Sequence, residues 1–280
     1  MKNILFLCLL AFSIIGNTQT KINKQFSPLK IATWNIQNLG RTKDPEEILS
    51  IAKIIKGYDI IAIQEVTAKD PKGAQAVAKI SDELNRMGDS WLYSVSNPTK
   101  SPSSNISERY AYLWRKSKIQ LIGKTYLDSE LDTVIHREPF IAEFKLKNDT
   151  NSFYLVNFHA KTHNHSPETE IDYFKHYPKR LKSEHVIIMG DFNLNEKHSV
   201  WNSLYQQGYK SSLSNTPTTL KRNCVNTTYF NHSIDNIYYN TKAIKYLNSG
   251  RVDFVKNCNN LEKARQLSDH IPVFLEFSIK

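Results

Sequence analysis

Short apolar runs recur along this chain, and each carries a polar side chain of a kind used in catalysis at or near one end. Runs rich in Val, Ile and Leu are typical of strands that are buried on both faces. A side chain at the end of such a strand can be presented rigidly at the rim of a sheet. The runs are IATWNIQ (31–37), IIAIQEV (60–66), SERYAYLW (107–114), YLVNFHAKT (154–162), VIIMGDFN (186–193), SIDNIYY (233–239) and LSDHIPV (267–273).

The polar residues of these runs are carboxylates, amides and imidazoles. A single Asp or Asn after a strand is more often a turn residue or a helix cap. Because the set extends from residue 35 to residue 270, we interpret it as one site gathered across a sheet. Oxygen ligands for a divalent cation and two imidazoles are the groups that metal-assisted cleavage of a phosphate ester needs. The residues are Asn35, Glu65, Glu108, His159, Asp191, Asn193, Asp235, Asp269 and His270.

Amphipathic stretches alternate with these runs and predict helices over residues 45–56, 73–87, 167–182 and 198–207. The first has a favourable start, since Pro45 follows Asp44 and two acids lie near the positive end of the helix dipole. Residues 97–107, rich in Pro, Ser and Asn, predict a loop. We find no internal repeat and no dividing linker. The pattern therefore predicts one α/β domain over residues 21–280.

Residues 1–20 predict a secretory signal peptide. Lys2 gives a short basic start, an apolar run extends from Ile4 to Ile15, and small or polar residues follow near a plausible cleavage point. The run is too short to span a bilayer, and no other segment has the length of a membrane span. A lipid anchor at Cys8 is an alternative, although that cysteine lies early in the run. We expect the protein to be secreted or periplasmic.

The overall charge gives limited information about the partner of this protein. A formal net charge of +10 and a hydrophobic fraction of 40% fit a basic globular domain with a substantial core. Such a charge favours an acidic partner, either nucleic acid or an anionic membrane surface. Lys and Arg are scattered, with small clusters at 179–182 and 221–222 and no long basic tail. A generally basic surface without a specific partner explains the same composition.

Once the signal peptide is removed, Cys224 and Cys258 remain. Two thiols in an oxidising compartment are a natural disulfide pair, so we predict a bridge between them. The alternative is a pair of unlinked buried cysteines.

The order TWNIQ, IQEV, ERY, NFHAKT, GDFN, IDN and SDH resembles the endonuclease/exonuclease/phosphatase superfamily, from about Lys30 to the C-terminus. This resemblance implies a four-layered α/β sandwich, in which two mixed sheets pack face to face with helices outside. Within the superfamily, SERYAYLW and the segment HREPF (136–140) are similar to secreted deoxyribonuclease I. The signal peptide agrees with that narrower resemblance.

The resemblance implies two histidine–carboxylate pairs. His270 would act as general base, with Asp235 fixing its tautomer. His159 would act as general acid, supported in the same way by Glu108. A carboxylate that accepts from one ring nitrogen presents the other nitrogen to substrate.

The resemblance also implies a metal site. Glu65 is the first expected ligand, with Asn35 beside it, and Asp269 is expected to complete the site. Asp191 and Asn193 would hold the scissile phosphate or a second ion. Oxygen ligands favour Mg²⁺ or Mn²⁺, with Ca²⁺ as a further candidate, over zinc.

Arg137, within HREPF, is expected to contact a DNA phosphate, and Tyr110 is a further candidate for substrate binding. The predicted function is that of a secreted, divalent-metal-dependent endonuclease acting on DNA, with RNA as a second candidate substrate. We expect a monomer without a protein partner and without stable membrane insertion. Two alternatives are a sphingomyelinase-like or inositol-phosphate phosphoesterase on the same scaffold, and a non-catalytic binding protein.

Two further clusters have less specific patterns. His163 and His165 could suggest zinc, but their spacing fits no helix-based motif, so we interpret them as loop residues. The acidic stretch 128–132 lies where relatives can hold a structural calcium, and a solvated acidic loop is an equal interpretation.

Overall fold

Two six-stranded mixed sheets form this protein, as seen in a computed structural model that describes residues 28–40, 42–103 and 106–280. The predicted signal peptide lies outside the described residues. The strands are β1 (Leu29–Leu39), β2 (Ile60–Thr67), β3 (Trp91–Val95), β4 (Glu108–Arg115), β5 (Ile119–Leu127), β6 (Phe140–Leu146), β7 (Ser152–His159), β8 (Val186–Asp191), β9 (Tyr209–Ser211), β10 (Leu220–Val225), β11 (Thr228–Phe230), β12 (Asp235–Asn240), β13 (Ile244–Arg251) and β14 (Val273–Ile279).

One sheet has the order β13-β14-β1-β2-β4-β3, and the other has the order β5-β6-β7-β8-β12-β9. Strands β10 and β11 form a separate hairpin. The helices are α1 (Pro45–Ile55), α2 (Lys72–Arg86), α3 (Glu168–Ile171), α4 (Tyr177–Arg180), α5 (Asn202–Gln206) and α6 (Leu261–Leu267). Within the described ranges, no helix is long and apolar enough to cross a membrane.

Three apolar layers hold the sandwich together. Between the sheets, aromatic side chains such as Tyr112, Phe140 and Phe144 interdigitate, and all three are almost completely buried. The outer face of the first sheet packs against α1 and α2, and the outer face of the second packs against α3, α4 and α5. This arrangement confirms the predicted four-layered α/β sandwich.

The strand register brings the polar ends together. β1 and β2 are parallel, with Asn35 opposite Gln64, and β7 and β8 are parallel, with His159 opposite Asp191. β12 runs antiparallel to β8 and places Asp235 beside Asp191. Because parallel strands end at the same edge, these side chains meet at one rim of the sandwich.

A close backbone approach supports this register. Gly190 has φ +147°, and a Cβ there would lie 1.8 Å from the carbonyl oxygen of Phe158. Glycine at this position therefore allows β8 to lie against β7 immediately before Asp191.

Six of the seven predicted strands are confirmed in position, and the seventh is wrong. LSDHIPV spans the end of α6, an irregular segment (268–272) and the first residue of β14. The predicted start of α1 is confirmed. The Asp44 side chain accepts from the Glu47 backbone N–H, and the Glu47 side chain accepts from the Asp44 backbone N–H, which forms a capping box. The helix predicted over 167–182 is instead broken into α3, a 3₁₀ segment and α4, and the helix predicted over 198–207 is a 3₁₀ turn followed by α5.

The predicted disulfide between Cys224 and Cys258 is present. It joins the β10–β11 hairpin to the 3₁₀ turn that precedes α6. The hairpin turn has positive φ at Asn226 (51°) and Thr227 (62°), the pattern of a type I′ turn, whose twist matches that of the flanking strands.

Reduction of this disulfide is expected to lower the free energy of unfolding by roughly 3–4 kcal/mol, because the bridge closes a loop across a sequence separation of 34 residues. Denaturant titration with and without a reductant measures the difference. Cys224→Ser/Cys258→Ser is the matched variant and should equal the reduced protein. Equal stability of oxidised and reduced protein would contradict this expectation.

Candidate active site

Asp191, at the end of β8, is the centre of the polar cluster. Its Oδ2 atom accepts a hydrogen bond from Asn35 Nδ2 at 3.1 Å. The same oxygen lies 3.5 Å from His159 Nε2 and 3.7 Å from His270 Nε2. The Asp191 side chain is almost completely buried. Both imidazoles thus direct their second nitrogen toward one carboxylate, His159 from the end of β7 and His270 from the irregular segment 268–272.

His159 forms the first histidine–carboxylate pair. Its Nδ1 atom lies 2.9 Å from Glu108 Oε2, at the first residue of β4. Burial alone would raise the pKa of Glu108, but the charges of His159 and Arg137 lower it below its usual value. Burial and Arg137 oppose protonation of His159, yet Glu108 outweighs them and the pKa of His159 is raised. The pair therefore favours the imidazolium form, as a proton donor requires.

His270 forms the second pair with Asp235. Its Nδ1 atom lies 2.9 Å from Asp235 Oδ2, and Thr218 Oγ1 donates to the same oxygen at 2.6 Å. Burial acts to lower the pKa of His270, but Asp235 and Asp191 raise it to about 10. In the protein without a bound cation, His270 therefore holds a proton at neutral pH.

This raised pKa predicts a pH dependence of stability for the chelated protein. The folded pKa of His270 exceeds its unfolded value of about 6.5, so its contribution is complete below pH ~6.5 and is lost as pH rises through about 10. Denaturant titrations of wild type and His270→Ala across that range should converge at the alkaline end. A constant difference between the two proteins would contradict the shift.

Glu65 and Asn35 supply oxygen ligands next to Asp191. Asn35 Nδ2 donates to Glu65 Oε1 at 3.1 Å, so the amide joins the two carboxylates. Asn35 Oδ1 is buried and has no hydrogen-bond partner among the described residues. Glu65 has φ +59°, a left-handed conformation that a side chain tolerates only when its surroundings hold it. An unsatisfied amide oxygen beside two carboxylates fits a hard divalent cation, which takes oxygen ligands.

A second grouping of possible ligands overlaps the first. Ligand atoms of Asp191, Asp235 and His270 lie within 4.8 Å of one another. His270 and Asp235 are already paired through Nδ1, which leaves Asp191 as the residue common to both groupings.

Asn193 joins the cluster, whereas Asp269 does not. Asn193, with φ +49°, donates its backbone N–H to Asp191 Oδ1 at 2.9 Å and its side-chain amide to the Ala160 carbonyl. Asp269 instead accepts from Gln37 Nε2 at 3.2 Å and faces Arg265 at 3.9 Å. These contacts do not join the Asp269 carboxylate to Asp191, so they give no support to the expectation that Asp269 completes the metal site, which stays a prediction.

Arg137 lines the cleft beside His159. Its Nη1 donates to the carbonyls of His159 and Ala160 at 3.0 and 2.9 Å, and its Nε lies 3.5 Å from Glu108 Oε2. The guanidinium thus fixes the backbone of His159 and Ala160 in addition to giving the cleft a positive charge.

Tyr110 is completely buried, so the expectation that it binds substrate is wrong. β4 places it on the face between the two sheets, where its hydroxyl accepts from the His159 backbone N–H at 3.2 Å. Tyr110 therefore supports His159 from behind.

The variant Tyr110→Phe is expected to lower the free energy of unfolding by about 1–3 kcal/mol, because the buried His159 N–H loses its acceptor. Denaturant titration measures this cost. Tyr93→Phe, at an exposed tyrosine, is the control and should leave stability unchanged. Equal stability of both variants would show that the contact is unimportant.

Several supporting residues had no clear signal in the sequence. Thr218 lies in a stretch rich in Ser and Thr without periodicity. Ser268 Oγ donates to the Asn35 carbonyl at 2.7 Å and accepts from the His270 N–H at 3.0 Å, which links β1 to the segment after α6. Gln64 and Asn157 hydrogen-bond across the sandwich beneath the site. Both lie inside predicted strands, where a polar residue within an apolar run was the available signal in the sequence.

A cleft of about 720 Å³ opens beside this cluster. Its wall includes Glu65, Glu108, Arg137 and His159, together with residues 66–70 and 106–107. An open, polar cleft of this size can admit a phosphate ester together with the groups attached to it.

The two less specific clusters lie outside the site. His163 and His165 are exposed in a 3₁₀ turn, where His165 Nδ1 contacts Thr162 Oγ1. In the acidic stretch, the buried Asp128 is held by Arg180 through two hydrogen bonds, and Lys100 pairs with Asp132. Because basic side chains already neutralise these acids, the stretch is an ion-paired structural element.

Comparison with known proteins agrees with this geometry. The endonuclease/exonuclease/phosphatase family matches residues 32–270. Deoxyribonuclease-1-like 1 of Sus scrofa is 29% identical over 263 residues, covering 89% of this chain and 81% of that protein. Deoxyribonuclease-1 of Homo sapiens is 31% identical over 189 residues, covering 63% and 65%. A family protein from Bacteroides thetaiotaomicron shares the fold, with a TM-score of 0.63 at 16% identity, covering 91% of this chain and 99% of the other.

Proposed function

Since this chain belongs to the endonuclease/exonuclease/phosphatase family, whose members are hydrolases acting on phosphodiester bonds, we propose that it is a secreted, divalent-metal-dependent endonuclease that cleaves DNA. The observation that carries the proposal is the meeting of two histidine–carboxylate pairs at Asp191. The names of the matched relatives, which are deoxyribonucleases, support DNA as the substrate. The disulfide supports an oxidising, extracytoplasmic location.

His270 is assigned the role of general base. Asp235 holds the Nδ1 proton, so Nε2, which points toward Asp191, would take the proton from the attacking water. His270 must first be neutral, and its raised pKa means that positive charge near Asp191 would favour this step.

His159 is assigned the role of general acid. Glu108 raises its pKa, which keeps Nε2–H available for the departing oxygen. Arg137 and Tyr110 fix the backbone of His159, so this proton is delivered from a constant position.

Glu65, Asn35 and Asp191 would hold the divalent cation. When bound, such an ion supplies positive charge for the phosphoryl oxygens and the leaving group. Asn193, held by Asp191 and Ala160, would contact the phosphate.

A substrate panel tests this function. Purified mature protein is incubated with plasmid DNA, RNA, sphingomyelin and inositol phosphates, each with Mg²⁺, Mn²⁺, Ca²⁺ or a chelator. We expect plasmid cleavage with a divalent cation and none with the chelator. Plasmid resistance together with hydrolysis of sphingomyelin or inositol phosphates would reject the DNA assignment in favour of the alternative phosphoesterase. Failure on every substrate would favour a binding protein.

A further inference from the structure

The hairpin of β10 and β11 begins at the catalytic rim and takes part in none of the steps above. Thr219 forms a bridge with His270, and the Leu220 N–H donates to the Asp269 carbonyl at 2.7 Å. Arg265, on α6, donates to the Leu220 carbonyl at 2.8 Å. The base of the hairpin is therefore fixed to the segment that carries the general base, and its strands extend from there along the surface.

The charge of this hairpin is of one sign. The sequence contains no acidic residue between Glu196 and Asp235, a stretch that includes both strands. Arg222 is exposed on β10 and Lys221 precedes it, half-buried. The exposed Lys256 lies two residues before Cys258, which the disulfide joins to the hairpin. Exposed basic side chains that continue from a phosphodiesterase site complement a polyanion that runs through that site.

The hairpin is held in place before any ligand arrives. The Cys224–Cys258 disulfide joins it to the segment before α6. The Arg251 guanidinium lies over the Phe230 ring at 3.3 Å, and the Tyr229 hydroxyl donates to Asp253 at 2.7 Å. A surface that is already ordered loses little conformational entropy on binding.

The tip of the hairpin suits a sugar–phosphate backbone better than a lipid surface. Val225 is 51% exposed, but the neighbouring exposed side chains are Asn226, Thr227 and Thr228. One apolar side chain among amides and hydroxyls does not form a membrane wedge. Amide and hydroxyl groups are the polar partners that accompany Lys and Arg in contacts with nucleic-acid phosphates and sugars.

We propose that the β10–β11 hairpin is a DNA-binding arm whose Lys221 and Arg222 contact the phosphate backbone beyond the scissile bond. The inference rests on the proposed function, since it assigns the polymer contacts of that same site.

The decisive variant is Lys221→Gln/Arg222→Gln, made in the inactive His159→Ala protein so that binding is measured without cleavage. The dissociation constant for duplex DNA is determined by fluorescence anisotropy over a range of salt concentrations. Each lost phosphate contact should reduce the slope of log affinity against log salt by about one, so the double variant should lose about two.

The control removes the same charge elsewhere. Lys242→Gln/Lys245→Gln changes two lysines at the opposite end of the sandwich, where Lys245 on β13 lies opposite Ser278 on β14 in the strand register. This control should keep the full slope. Arg222→Lys, which preserves the charge, should also keep it. If the double variant fails to fold, Arg222→Gln alone, at an exposed position, should lose about one unit of slope.

Activity gives an independent readout in the active protein. The hairpin double variant should raise the KM for plasmid DNA while hydrolysing bis(p-nitrophenyl) phosphate, an ester too small to reach the hairpin, at the wild-type rate. An unchanged salt slope, or an equal loss on both substrates, would overturn the inference. Loss of RNA binding with DNA binding intact would overturn it as well. A wild-type protein that hydrolyses the small ester but not DNA would reject the proposed function, and the binding slopes would still decide the role of the hairpin.

Discussion

His159→Ala and His270→Ala are each expected to remove nearly all DNA cleavage while leaving the fold intact. Proton transfer by a positioned side chain contributes roughly 10²–10⁴-fold to a rate. Among the described residues, His159 and His270 are the two imidazoles that face Asp191, so no other histidine can replace either of them. Initial rates of plasmid nicking measure the loss. Because the two groups serve one transition state, the double variant should lose much less than the product of the single losses.

Two other histidines provide matched controls for this experiment. His163→Ala and His165→Ala remove exposed imidazoles that follow His159 in the chain but lie outside the cluster, and they should cleave DNA at the wild-type rate. Circular dichroism and thermal unfolding confirm that each variant is folded. Wild-type cleavage by either His159→Ala or His270→Ala would refute the assigned role of that residue.

Removal of divalent cations is the second change with a large expected effect. Chelation should abolish DNA cleavage, and Mg²⁺ or Mn²⁺ should restore it, because Glu65, Asn35 and Asp191 place two carboxylates beside an unsatisfied amide oxygen. Glu65→Gln removes one charge from this group without changing its size. The variant should need a higher Mg²⁺ concentration for half-maximal rate, as measured by titration of the metal.

Direct measurement of binding separates a metal site from a general loss of activity. Calorimetric titration with Mn²⁺ should show weaker binding by Glu65→Gln than by wild type. Asp269→Asn is the control, because that carboxylate is engaged with Gln37 and Arg265, and it should bind Mn²⁺ as wild type does. Full cleavage in chelator, or a larger defect for Asp269→Asn than for Glu65→Gln, would reject the assigned ligands.

The strands that carry most of the site could be predicted from the sequence because continuous apolar runs are typical of strands buried on both faces. Eight other strands in the described part of the chain were not predicted. They include β6 and β14, in which charged residues interrupt largely buried runs, and the edge strands β5 and β13, in which exposed and buried residues are mixed. The prediction of one continuous helix over 167–182 was wrong. Two short helices and a 3₁₀ segment bury the apolar side chains of this range against the second sheet.

The residues of the site also divide into those that the sequence predicted and those that it did not. Each histidine–carboxylate pair could be anticipated, because both members lie in segments that resemble the family. Tyr110 was assigned wrongly because alternation along β4 directs it, like Glu108 two residues earlier, toward the space between the sheets. Thr218 and Ser268 act from irregular segments through single hydroxyl hydrogen bonds, and no periodic pattern identifies such residues.

The wide spacing of the site along the chain has a consequence for the cell that makes this protein. The Trp34 indole N–H donates to the carbonyl of His270, across a separation of 236 residues, and Asn35 and His270 come to Asp191 from opposite ends of the sequence. A chain still emerging from the ribosome lacks this convergence. The cluster around Asp191, and with it any activity of this site, therefore forms only after the last strand has joined the sheet.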